Sequence, residues 1–171
     1  MSRSPLADAF AHHVWATDVL LATCASLTPE QLASGVPGTY GSILDTMRHL
    51  VAADAGYLAL LSGGAVPQVV DEAALDIAAM RAVMATDGPA WQALLADGTD
   101  PDEPVVRHRE DGSQSTAPRG IRLAQAIHHG TDHRSQVCTA LTALGIDPPE
   151  IDAWAYAWQA GTLTETPAPA A

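Results

Sequence analysis

His129 and His133 stand four residues apart in the segment AIHHGTDHRSQV, residues 126–137. On a helix this spacing stacks two side chains on one face. Two neutral imidazoles so placed can share one metal ion, at roughly 2.0–2.1 Å per nitrogen for zinc. Surface histidines also fall at this spacing by accident, so the pair alone does not make a site. Nor is it the HExxH motif of zinc proteases, because Gly130 occupies the position where that motif carries its base. A glycine inside a helix costs roughly 1 kcal/mol relative to alanine. That cost is easier to understand where the backbone must sit close to another group.

A metal site needs a third ligand from another element, and His49 is the best-placed one. Placed at 100° steps, the helix expected over 42–61 has two distinct sides. Ile43, Met47, Leu50, Val51, Tyr57, Leu58 and Leu61 form a broad apolar stripe, while Thr46, His49, Ala53, Gly56 and Leu60 form a seam of mostly small residues. A lone histidine in such a seam is more often a hydrogen-bonded core residue, but three helical histidines in phases compatible with one bundle interior change that balance. In the helix expected over 119–144, Leu123, Ala126, Val137, Leu141 and Leu144 set the apolar face. His129 and His133 lie at its border near Ala140. His128 points with Asp132 and Thr139 towards solvent, so the helical phase selects against it as a ligand. His12 and His13, on the first helix, have no second ligand in register, and His108 falls in a loop. These three read as structural or exposed, with His13 left open because it lies near the mouth of the bundle.

The positioning elements read as long helices near 4–27, 42–61, 71–96 and 119–144. Thr28, Pro29 and Gln31 make a capping-box start for a short turn that GVPG, residues 35–38, breaks. Asp87-Gly88-Pro89 predicts a break or kink in the third long helix. Residues 97–118 form a long connection that can hold a hairpin, with PVVRHRE as one strand and Asp111-Gly112 in its turn. Gly145 caps the fourth long helix. A short helix with Ile151, Trp154 and Trp158 follows, and then a tail with little to bury. The domain is expected to span 1–160, with 161–171 as a flexible C-terminal tail.

Composition agrees with helices packed on helices: 47% of the 171 residues are hydrophobic, 16% are charged and only 5% are aromatic. The net charge is −12, and all eight cations are arginines. That balance speaks against nucleic acid and anionic membrane as partners, since both need clustered cations. No apolar run has the length of a membrane span and the first residues lack a signal-peptide core, so a cytoplasmic protein is expected. Cys24 and Cys138 sit in apolar helical stretches and form no CxxC pair. They read as buried free thiols, with a disulfide or metal role as the alternative.

With these residues in view, the chain resembles the DinB/YfiT-like superfamily of metalloenzymes over nearly its whole length. The resemblance is carried by HHVWAT (12–17), TPEQL (28–32), GSILDTMRHLVAADAGYL (41–58), EDGSQ (110–114) and AIHHGTDHRSQVCTALTALGIDPPEIDAWAY (126–156). Its specific part is HxxxHRxQ with a histidine far upstream in the second long helix. Ser135 departs from the usual glycine between Arg and Gln, a change conservative in size. The resemblance implies an all-α, antiparallel four-helix bundle with an unusual connection between helices two and three. It also implies a divalent ion (zinc, nickel or iron) held by His49, His129 and His133, with remaining positions open to water. Some relatives use the ion to activate a low-molecular-weight thiol for transfer or isomerisation. A metal-dependent transferase or hydrolase acting on a small molecule follows, with a non-catalytic metal-binding stress protein or a structural interaction bundle as alternatives. A homodimer is left open. Asp45, one turn before His49, and Gln136, near His133, are expected to hydrogen-bond and orient the imidazoles. Asp54 falls on the apolar stripe and needs a partner, for which Arg134 or Arg48 can serve.

Overall fold

The computed structural model of the protein describes residues 4–68, 71–96, 98 and 100–166. These are mostly helical. In chain order they form α1 (Pro5–Cys24), α2 (Pro29–Leu32), α3 (Ile43–Leu61), α4 (Ile77–Ala96), β1 (Pro104–His108), β2 (Gln114–Pro118), α5 (Arg119–Ala143) and α6 (Ala153–Gln159). Local chemistry fixes the helix ends. Ser4 caps α1 ahead of Pro5, Thr28 and Gln31 close a full capping box on α2, and the Ser42 hydroxyl accepts from the Asp45 N–H at the start of α3. Gly145, at a φ of +73°, takes the left-handed conformation just past α5.

The long helices pack α1 against α4 and α5, and α3 against α4 and α5, while α6 lies on α1. Ile43, Met47, Leu50 and Val51 of α3 join Leu20, Leu21, Met80, Val137 and Leu141 in one buried cluster. Phe10, Leu58, Leu61, Trp91, Leu123 and Ala126 form a second. Most of the stripe on α3 is therefore the core face; in the seam Thr46 is buried and His49 meets α5, while a Cβ on Gly56 would have nothing within 4 Å. The expected hairpin is present: β1 pairs antiparallel with β2, with Val106 opposite Thr116, and Gly112 has a φ of +81° in the turn. Arg122 of α5 holds it down by donating to the Val105 and Ser115 carbonyls. His108 belongs to β1 rather than to a loop, and its side chain is exposed.

The third long helix departs from expectation in two ways. It starts at Ile77 rather than Asp71, because two acids compete to cap it. The Asp71 carboxylate accepts from the Ala73 and Ala74 N–H groups and supports only a turn; Asp76 then accepts from Ala79 and opens α4. Nor does Asp87-Gly88-Pro89 break the helix, which runs through to Ala96. Asp87 and Gly88 are buried there, and a Cβ on Gly88 would come within 3.0 Å of Val14 Cγ1, so close packing on α1 holds the segment helical. Cys24 and Cys138 are free thiols, Cys24 fully buried. No helix of the described residues is long and apolar enough to cross a membrane. Of the tail expected beyond residue 160, Thr162 and Leu163 still donate to the Ala157 carbonyl, and 167–171 lie outside the described residues.

Candidate metal centre

Helices α3 and α5 bring the three selected histidines together. His129 and His133, one turn apart on α5, have ring centroids 4.4 Å apart, and His49 from α3 lies 5.1 Å from the first and 5.0 Å from the second. One ring nitrogen from each falls within 4.8 Å of the other two, an arrangement that can hold a metal ion. The Nε2 atoms of His49 and His129 are 3.2 Å apart. Two nitrogens each about 2.0–2.1 Å from one ion, at tetrahedral or octahedral angles, would stand roughly 2.9–3.4 Å from each other. The donor set, and the spacing of this pair, therefore fit a divalent cation. His128 is exposed on the other side of α5, as its phase requires.

The outward nitrogen of His133 is held as well. Gln136 Oε1 accepts from the Tyr40 backbone N–H at 2.9 Å, which identifies this atom as the amide oxygen. The same oxygen lies 3.1 Å from His133 Nδ1, so that nitrogen carries the proton and Nε2 is left with its lone pair for the site. On His49, Nδ1 stands 3.5 Å from Glu72 Oε1. Tyr40 stacks on the His49 ring at 4.1 Å with 12° between planes, and Tyr57 meets His129 edge-on. Gln136 thus takes its expected place, but Asp45 does not. Its carboxylate accepts from Ser42 Oγ at 2.6 Å and lies 3.6 Å from Arg48, drawn away by the helix cap.

Burial first, and then repulsion from His133 and His49, push His129 down to about 4. His133 is lowered mainly by burial, with the Gln136 hydrogen bond opposing. Both rings are consequently neutral at neutral pH, the form that binds a metal.

A second cluster lies on the same helices. Asp54, also on α3, accepts from His13 Nε2 at 3.0 Å and from Trp91 Nε1 at 3.0 Å. Arg134 Nη1 donates to His13 Nδ1 at 3.0 Å and to Thr17 Oγ1. Since a guanidinium can only donate, His13 is a neutral ring whose Nε2–H points at the carboxylate. The partners of Asp54 are therefore His13 and Trp91, with Arg134 linked through His13. Arg48 is engaged elsewhere, on the Leu75 carbonyl. Burial pulls Arg134 down to about 10, and it remains a cation at neutral pH. Gly130 is explained here: a Cβ would collide with His13 Cε1 and lie 2.6 Å from its Nδ1. His13, buried and fully partnered, is structural. His12 is tied to the Ile151 carbonyl at 2.8 Å.

The family model for DinB proteins matches residues 1–167 of the 171. The chain belongs to the DinB family. No curated protein matches it. Within this DinB-family chain, Tyr40, Tyr57 and Glu72 are the site neighbours that sequence reasoning missed. Tyr57 was visible only as part of the apolar stripe, Tyr40 comes from a connection with no periodicity to read, and Glu72 falls inside the helix expected over 71–96 but precedes α4 in the structure. A groove of about 700 Å³ between α1 and α4, lined by Trp15, Arg81 and Tyr156, lies apart from these histidines. Among the described residues it holds no cluster of metal-ligating side chains.

Proposed function

We propose that this DinB-family protein binds one divalent metal ion through His49, His129 and His133 and works as a metal-dependent enzyme of the thiol-dependent transferase or hydrolase type. The observation that carries the reading is the convergence of three ring nitrogens from two packed helices within 4.8 Å. On this reading the four long helices form an antiparallel bundle and a single domain, and α3 and α5 supply the rigid frame that an ion needs. Three neutral imidazoles leave zinc, nickel or iron its full positive charge, so the ion supplies Lewis acidity to a water or thiol that reaches it.

The chain's own residues do the rest. His49, His129 and His133 bind, and Gln136 keeps the His133 proton on Nδ1. Tyr40 and Tyr57 wall the rings with aromatic surface. The partner is a small molecule, with a low-molecular-weight thiol as cosubstrate; an acidic protein of net charge −12 suits neither nucleic acid nor an anionic membrane. Metal analysis of protein purified without chelator is expected to find about one ion per chain, reduced in each single histidine variant. Thiol-transfer assays with and without added metal then test the activity. Full metal content in a triple variant lacking these histidines would contradict the reading.

A further inference from the structure

Two of the three ring positions are set by one helix turn, but the third is not. His129 and His133 face each other because α5 places them there. His49 reaches the same point from α3, and an imidazole has a broad, roughly two-fold torsion about its ring bond as well as two neutral tautomers. Something must choose among these states if His49 Nε2 is to meet the other two nitrogens.

The contacts around His49 supply that choice. Tyr40 lies flat on the ring at 4.1 Å, and its edge-on contact with His133, at 5.4 Å, ties it to the partner helix. Its backbone N–H is fixed by Gln136, and the preceding Thr39 hydroxyl donates to the Val36 and Gly41 carbonyls, so the turn carrying Tyr40 is itself braced. Glu72 approaches from the connection before α4, with Oε1 3.5 Å from His49 Nδ1. That connection is pinned to α3 by Arg48 Nε, which donates to the Leu75 carbonyl at 2.7 Å.

The geometry points to Tyr40 and Glu72 as positioning residues for His49: the phenol ring fixes the plane of the imidazole, and the carboxylate keeps its proton on Nδ1 so that the Nε2 lone pair faces His129 and His133. This rests on the metal-binding reading above. An imidazole that donates to a cation becomes electron-poor. The face of a phenol and a carboxylate both attract it more strongly in that state than in the free protein. Both residues are also substantially exposed, Tyr40 by 54% and the Glu72 side chain by 42%, so neither is a main support of the fold. Their contribution therefore belongs to metal affinity and little of it to stability.

The test measures zinc affinity by competition with a chromophoric chelator, the visible spectrum of the cobalt-loaded protein, and the melting temperature without metal. Wild type is compared with Tyr40→Ala, Tyr40→Phe, Glu72→Ala and Glu72→Gln. Tyr40→Ala and Glu72→Ala should each weaken zinc roughly 10–100-fold and alter the cobalt spectrum, with the metal-free melting temperature almost unchanged. Tyr40→Phe keeps the ring and should restore most of the affinity. Glu72→Gln keeps an acceptor for the Nδ1 proton and should fall between. Alanine variants that bind zinc like wild type would overturn the inference alone. So would a metal-free melting temperature that falls as far as the loaded one, since the role would then be structural. Absence of zinc and cobalt binding by wild type is a different result, and it would remove the metal reading and this inference together.

Discussion

At His49, His129 and His133 the inner ring nitrogens face one another, whereas at His13 both ring nitrogens face a protein partner that satisfies them. The two groups share α3 and α5, and Arg134 of the second follows directly on His133 of the first. What separates them is what surrounds each ring. Three imidazoles turned inward leave lone pairs that only a cation, or a shared proton, can use. His13 between a guanidinium and a carboxylate has nothing left to offer. On the proposed reading the first arrangement serves binding, whereas the second ties α1, α3, α4 and α5 together.

The comparison breaks most visibly on removing Asp54. Asp54→Ala strands the His13 Nε2–H and the Trp91 Nε1–H and leaves buried Arg134 without its nearby counter-charge. A loss of about 3–5 kcal/mol in urea-unfolding free energy is expected, against a much smaller change for His49→Ala in metal-free protein. The reverse order would mean that the two clusters have been assigned the wrong way round.

Gly130→Ala comes next and decides between two opposed effects. Alanine gains roughly 1 kcal/mol of helix propensity, but its Cβ would occupy the space of the His13 ring. Overpacking of this kind costs about 1–3 kcal/mol, and here it also disturbs the His13 hydrogen bonds, so net destabilisation is expected. A variant more stable than wild type would show that His13 can move aside freely.

Asp87 sharpens the electrostatics of the structural cluster. Burial, with repulsion from Asp54 added, lifts its carboxyl from 3.8 to about 7, and its Oδ2 has no hydrogen-bond partner. The unfolded chain releases this proton near pH 4 and the folded chain near pH 7. The stability contribution of the group is therefore complete below the lower value and is lost as pH rises through the higher one. Asp87→Asn should stabilise by roughly 1–2 kcal/mol at pH 8 and hardly at all at pH 4, as measured by thermal unfolding at the two pH values. An equal gain at both would place the cause in packing. The smallest effect belongs to His128→Ala. This exposed ring lies about 100° around α5 from His129, and the variant should keep full metal stoichiometry; loss of metal would mean that the helix phase is wrong.

Much of this was legible in the sequence because helical phase is a strong signal. The four-residue spacing of His129 and His133, the small-residue seam bearing His49, the exposure of His128 and the hairpin turn at Asp111-Gly112 all follow from periodicity or turn chemistry. Contacts across the fold were not legible in the same way. His13 meets Asp54 across 41 positions and Arg134 across 121, and nothing in the local pattern joins them. Gly130 showed that something came close, but not that it was His13. Asp45 had the right phase for the site and was captured by Ser42, a local competition between helix cap and ligand support. Glu72 lies where a helix was expected and Asp71 makes a turn instead.

Thermal unfolding of wild type and His49→Ala, each with and without added zinc or nickel, tests the central claim most directly. If the three histidines share one ion, binding free energy adds to the stability of the native state. Metal should then raise the wild-type melting temperature, a chelator should reverse the rise, and His49→Ala should lose most of it because two imidazoles bind far more weakly than three. The same metal-induced shift in both proteins would make His49 a hydrogen-bonded core histidine and would contradict the three-ligand centre.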